Sequence, residues 1–267
     1  MGRSSDRPKF FVRGLQVEMD LAGWIVTAVA VLLTGISKSG LGGALGGLAV
    51  PFMSMWISPR DAVAVMLPIL IAMDFAGIRA WRGKADWMEL RLLIPSAVVG
   101  IALGTLAFGV LPDQVVKGAV GLIAVGFTFD RVLRRGSKAS AVAGERKRGF
   151  AWLCGAGAGF TSTLAHAGGP PIMIYLLSRK LPKEAFAATS VFFFAAINLA
   201  KLPFYLGLDL FSRDTLLMSA MLLPLVPLGV FLGMRLLARI PERPFYLFAT
   251  AALGISGVKL LWDALMA

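Results

Sequence analysis

Two stretches of this chain carry residues that could hold a small anion. Gly159 to Pro171 reads GFTSTLAHAGGPP and gathers Thr161, Ser162, Thr163, the single histidine His166, and the pairs Gly168–Gly169 and Pro170–Pro171. Gly35 to Pro51 reads GISKSGLGGALGGLAVP and carries Ser37, Lys38 and Ser39 ahead of Gly42 and Gly43. Hydroxyls donate hydrogen bonds to oxyanions, and a lysine adds charge. A helix that breaks here also offers free N–H groups and the positive end of its dipole. Proline rings do not fit a helix interior and lack an N–H, so a helix entering near Trp152 is expected to break at about His166 and restart after Pro171. In the first stretch Ser37-Lys38-Ser39-Gly40 is expected to interrupt a helix running from Leu21 to Ile36.

These polar residues lie in an apolar setting. The chain has 267 residues, 57% of them hydrophobic and 16% charged, with a mean hydropathy of +0.77. Several runs approach the roughly 20 residues that span a bilayer. Only helices or closed barrels span lipid, and these runs are of helix length. The composition implies an all-α polytopic membrane bundle. The net charge of +12 comes from 27 Lys and Arg against 15 Asp and Glu. It sits in short loops, which points to anionic lipid rather than nucleic acid as the partner. Cys154 is the only cysteine, which excludes an intrachain disulfide and a cysteine metal site. No cofactor or metal is expected, and no Walker motif is present.

In chain order, a polar arm covers 1–19, with Asp20 as N-cap of a first apolar run too long for a signal peptide. Spans follow at 62–78, 92–110 and 115–132, and Trp81 and Trp87 in the loop at 79–91 suit an interfacial belt. Residues 134–149 form a basic linker. The pattern then restarts at 150, with spans at 185–206, 216–237 and 245–265. The two halves share their punctuation: Pro59, Pro95, Gly100, Gly104 and Pro112 match Pro182, Pro224, Gly229, Gly233 and Pro241. Proline and glycine mark backbone geometry, so 20–133 and 150–267 read as two copies of one unit. Basic residues load equivalent loops in opposite phase: Arg79, Arg82, Lys84 and Arg91 against Arg213 alone, and none at Pro112 against Arg235, Arg239 and Arg243. That phase is expected of inverted repeats. Each unit would be a broken, re-entrant hairpin plus three spans, giving about 8–10 transmembrane segments in all.

The GISKSGLGG segment, the GFTSTLAHAGGPP segment and the later Asn198-x-x-Lys201 resemble the TauE/SafE family of sulfite and organosulfonate exporters, also called the toluenesulfonate uptake permease family. The resemblance covers about residues 20–265. It implies a multi-pass protein of the bacterial inner membrane that moves sulfite, sulfoacetate or a related anion. The expected mechanism is export driven by the proton-motive force through alternating access. Another small organic anion, an open anion pore and an intramembrane hydrolase built on His166 are the competing readings. Oligomeric state, homo-oligomer or monomer, is open.

The expected anion ligands are Ser37, Lys38, Ser39, Gly42, Gly43, Thr161, Ser162, Thr163, His166, Gly168, Gly169 and Asn198. An ionisable residue between apolar runs is functional by default. The alternative for Lys38 is snorkelling to the interface. His166 is either a donor, a proton carrier or a structural imidazole. Asp74 pairs with Lys38, takes up a coupling proton, or marks a helix end near the interface. Asn198 lines a cavity or ties two helices together. Lys201 reads as a snorkelling residue, and Phe192-Phe193-Phe194 as packing.

Overall fold

The computed structural model describes residues 19–40, 42–43, 49–108 and 112, positions scattered through 114–132, and 148–266. The polar arm up to residue 18, most of the basic linker and half of the span expected at 115–132 lie outside the described residues. The helices are α1 (Leu21–Gly40), α2 (Ala49–Met53), α3 (Pro59–Ala80), α4 (Trp87–Ala107) and α5 (Arg148–Ala165), then α6 (Gly169–Arg179), α7 (Lys183–Gly207), α8 (Arg213–Leu222), α9 (Leu225–Arg239) and α10 (Glu242–Met266). All regular structure among the described residues is helical, as composition requires. By length and apolarity, α1, α3, α4 and α7 can each cross a membrane, and α8 with α9 form a fifth candidate bent by 47°. Four to five such spans among the described residues are fewer than the eight to ten expected. The shortfall includes α5 and α6, which are not among these candidates, and the residues not described.

Local sequence sets the helix ends. Asp20 caps α1 through Gly23 N at 2.8 Å. Pro59 opens α3 behind Ser58, whose hydroxyl accepts from Asp61 N at 3.0 Å. Three boundaries differ from expectation. Residues 37–40 do not interrupt α1, which continues to Gly40. Pro170 and Pro171 fall in the first turn of α6 rather than in the break, because a proline at the start of a helix forfeits an N–H that has no partner there anyway. The single span expected at 216–237 is divided near Pro224, between α8 and α9. Trp81 also departs from the expected belt: it is buried in the core, whereas Trp87 is exposed.

Helix pairing exchanges elements between the two halves. In lipid, helices associate through close packing of small residues rather than through loss of water. Gly35 and Gly40 of α1 lie against Gly229 and Gly233 of α9. In the equivalent pair, Gly100 and Gly104 of α4 lie against Ala156 and Phe160 of α5. Both contacts run parallel. The equivalent helices α3 and α7 instead run antiparallel. Gly77 meets Val191, Asp74 meets Asn198, and Arg60 bonds the Leu208 carbonyl, so numbers rise on one helix as they fall on the other. Antiparallel α3 and α7, with α1 paired to α9 and α4 to α5, is the packing that an inverted pair of repeats would give. The core divides accordingly: one cluster is centred on α4–α7 and the other on α1–α3 with α8 and α9. Near one end, Glu89 of α4 is fully buried and held by Arg179 at 2.8 Å and by a short hydrogen bond from Tyr175, tying α4 to α6.

Candidate functional site

The break between α5 and α6, the C-terminal part of α1, and the middles of α3 and α7 converge on one small cavity. His166 stands in the break with φ +51°, a left-handed conformation that a non-glycine residue keeps only when its surroundings enforce it. Both ring nitrogens are held. Nε2 lies 3.0 Å from the Val63 carbonyl and Nδ1 lies 2.9 Å from Lys201 Nζ. A carbonyl can only accept, so the network assigns the proton to Nε2 and leaves Nδ1 as the acceptor for Lys201.

Lys201 is fully buried. Its Nζ has three acceptors: His166 Nδ1, Ser162 Oγ at 2.9 Å and the Ser162 carbonyl at 3.2 Å. Three acceptors match the three N–H donors of an ammonium group. One turn along α7, Tyr205 donates to the Thr163 carbonyl at 2.7 Å. Positions four apart share a helix face, so Lys201 and Tyr205 both reach the end of α5: Tyr205 donates to the Thr163 carbonyl, and Lys201 adds a second donor to the Ser162 carbonyl, which also accepts from His166 N at 3.1 Å. The expectation that Lys201 snorkels is corrected.

On the opposite wall, Lys38 Nζ lies 2.7 Å from Asp74 Oδ1 and 3.2 Å from the Leu70 carbonyl. Asn198 donates to Asp74 Oδ2 at 2.7 Å. Lys38, Asp74 and Asn198 are all buried, so Lys38 directs its ammonium at Asp74 inside the protein rather than snorkelling outward.

The cavity wall contains six of the expected ligands: Lys38, Gly43, Ser162, His166, Gly169 and Asn198. Thr34, Leu70 and Phe194 complete it, so Phe194 is more than packing. The cavity has room for about one water molecule. Donors dominate the wall. Lys38 keeps one N–H beyond those directed at Leu70 and Asp74. Ser162 Oγ accepts from Lys201, which leaves its own proton to donate. Asn198 has a second amide N–H. Gly169 lies at the N-terminus of α6, where backbone N–H groups lack helical partners.

The other expected ligands stand elsewhere. Thr161 and Thr163 direct their hydroxyls back to the Gly157 and Gly159 carbonyls at 2.8 and 2.9 Å. Because α1 stays helical through Gly40, Ser37 and Ser39 lie about 100° to either side of Lys38. Gly42 adopts φ +65° and packs on the Phe186 ring; Gly168 packs on Ala158 and Ser162. Sequence reasoning missed Thr34, Leu70 and the buried role of Lys201. The signal for Lys201 was present in its spacing of three from Asn198 and four from Tyr205, one face of one helix. Among the described residues, no group of three or more His, Cys, Asp or Glu side chains could hold a metal.

A family model described as sulfite exporter TauE/SafE matches residues 27–260, most of the chain. No curated protein and no solved structure matches at a significant level.

Proposed function

The chain belongs to the TauE/SafE sulfite exporter family, and from that premise we propose that it is a secondary transporter carrying a small sulfur oxyanion through the cavity between Lys38 and Ser162. One observation carries this reading: donors from both halves of the protein converge on a single buried cavity beside two lysines and only one carboxylate. A buried cation without a partner is costly, and an anion offsets that cost. Lys38, Ser162 and Asn198 bind the anion oxygens, with the first turn of α6 adding its dipole. Lys201 and His166 orient Ser162 and supply charge from behind it.

The cavity is smaller than any sulfur oxyanion. Binding therefore requires the walls to part, which supports alternating access: the α1–α2 and α5–α6 hairpins rock against α3 and α7 around a fixed site. The electrical part of the proton-motive force drives export by itself. An inside-negative potential of 100 mV favours outward movement of one negative charge by about 2.3 kcal/mol. In this scheme Asp74 remains the partner of Lys38 and carries no proton. His166 carries none either, since one nitrogen already holds a proton and the other faces an ammonium. The same two contacts deprive His166 of a free nitrogen to activate a nucleophile, which counts against the hydrolase reading.

Thermal unfolding of the purified protein with sulfite, sulfoacetate or taurine tests the proposal. A ligand of the native state raises apparent stability by mass action. Stabilisation by a sulfur oxyanion in wild type but not in Ser162→Ala is the expected result. No shift with any of the three compounds refutes the substrate class.

A further inference from the structure

Lys38 and Thr34 of α1 line the cavity, and the same face of α1 carries a third polar side chain beyond it. Thr27 stands seven residues before Thr34, close to two turns at about 3.6 residues per turn, so Thr27, Thr34 and Lys38 share one face. The opposite face, with Ile25, Val29 and Leu33, is exposed, whereas Thr27 is fully buried. The hydroxyls of Thr34, Thr161 and Thr163 turn back to the carbonyl one turn earlier in their helices, the common refuge of a threonine inside a helix. The Thr27 hydroxyl does not: among the described residues it has no hydrogen-bond partner. A buried hydroxyl left unpaired destabilises the arrangement that leaves it so.

The equivalent face of the other half differs. With Gly35 matched to Gly159, the residues Thr27, Thr34 and Lys38 correspond to Ala151, Ala158 and Ser162. The polar residue at the cavity is kept, and the two beyond it are fully buried alanines. The two helices reach the cavity from opposite ends of the molecule. Gly23 of α1 packs on Trp56, just before α3 begins, whereas Gly155 of α5 packs on Leu93 in α4, which begins where α3 ends. Polar surface therefore leads away from the cavity toward one end only.

We propose, resting on the transport reading above, that the buried face of α1 from Lys38 to Thr27 is the wall along which the anion and its water pass between the cavity and the end where α1 begins, and that the unpaired Thr27 hydroxyl biases this path toward opening. In the closed arrangement the hydroxyl has no partner. When the α1–α2 hairpin swings away from α3, water and then the anion supply one. The closed state is thereby raised relative to the open one, which shifts their populations. Thr27 is a gating residue outside the cavity itself.

Thr27→Val keeps the side-chain shape and removes the hydroxyl; Thr27→Ser keeps the hydroxyl. Thermal unfolding and efflux of radiolabelled sulfite from proteoliposomes are compared for wild type and both variants. Thr27→Val is expected to raise the unfolding midpoint by about 2 °C or more and to slow efflux about fivefold or more, while Thr27→Ser transports at the wild-type rate. A threonine with a merely structural role would lose stability on the same change. A lowered midpoint in Thr27→Val, or efflux equal to wild type, overturns the proposal, as does a Thr27→Ser protein as slow as Thr27→Val. Wild type that carries no sulfite refutes the transport reading instead, and water access then decides whether this face opens. With Cys154 replaced by alanine, Thr27→Cys is expected to react with a water-soluble methanethiosulfonate reagent about tenfold or more faster than Ala151→Cys. Equal rates overturn the one-sided path.

Discussion

Removing one partner of the Lys38–Asp74 pair should harm the protein more than removing both. At 2.7 Å and an effective dielectric near 20, the two charges attract with about 6 kcal/mol. Desolvation consumes most of this, so the intact pair is worth far less than that figure. Cutting one partner away leaves the other charge buried and uncompensated, which costs about 3–5 kcal/mol. Lys38→Met leaves Asp74 with only the Asn198 amide, and Asp74→Asn leaves Lys38 with only the Leu70 carbonyl. The double variant buries no net charge from this pair, and Asn198 can still bond the amide at position 74. Its stability should recover to within about 1–2 kcal/mol of wild type, the scale of one or two neutral hydrogen bonds. The interaction energy from the cycle should therefore reach about 4 kcal/mol or more. Denaturant unfolding in detergent micelles, followed by tryptophan fluorescence, supplies the four stabilities. Strict additivity of the two single losses would refute the claim that this is a buried, mutually dependent pair. The recovered double variant should still fail to transport, because it lacks the Lys38 donor.

Other consequences are equally open to measurement. A Cβ on Gly159 would lie 2.0 Å from the Ala97 carbonyl oxygen, whereas one on Gly207 meets nothing within 4 Å. Gly159→Ala should therefore abolish a monodisperse peak in size-exclusion chromatography, and Gly207→Ala should leave it unchanged. His166 holds a left-handed backbone that asparagine tolerates better than valine. Both His166→Asn and His166→Val break the two ring hydrogen bonds, and His166→Val adds backbone strain of about 1–3 kcal/mol, so its unfolding midpoint should fall several degrees below that of His166→Asn. With Cys154 replaced by alanine, single cysteines placed across 37–43 and 161–169 should change their labelling rate when a transported anion is added, and substrate-independent labelling throughout would contradict rocking hairpins.

The fold was legible where it depends on one-dimensional signals. Run lengths gave the helices, and the matched prolines and glycines point to α3 and α7 as equivalents, which pack antiparallel. Legibility failed where a residue's role depends on a partner far along the chain. Lys201 sits 35 residues beyond His166, and nothing local shows that its ammonium reaches the end of α5. Glu89 is similarly silent until Arg179 and Tyr175 close on it. Ser37 and Ser39 were overread because a glycine-rich stretch suggests a loop, in which neighbours can face one way. A continuous helix turns them away from Lys38. The proline pair misplaced the restart of α6 because proline is read as a helix breaker, although the first turn accepts it.

Transport itself gives the most direct test. Proteoliposomes carrying the purified chain, loaded with radiolabelled sulfite or methanesulfonate at a pH favouring the monoanion, would be given an inside-negative potassium diffusion potential. The account predicts efflux that rises with the potential, persists without a pH gradient, and disappears in Ser162→Ala and in the Lys38→Met/Asp74→Asn double variant. Efflux no faster than from protein-free liposomes, or undiminished in both variants, would contradict a sulfur-oxyanion path through this cavity.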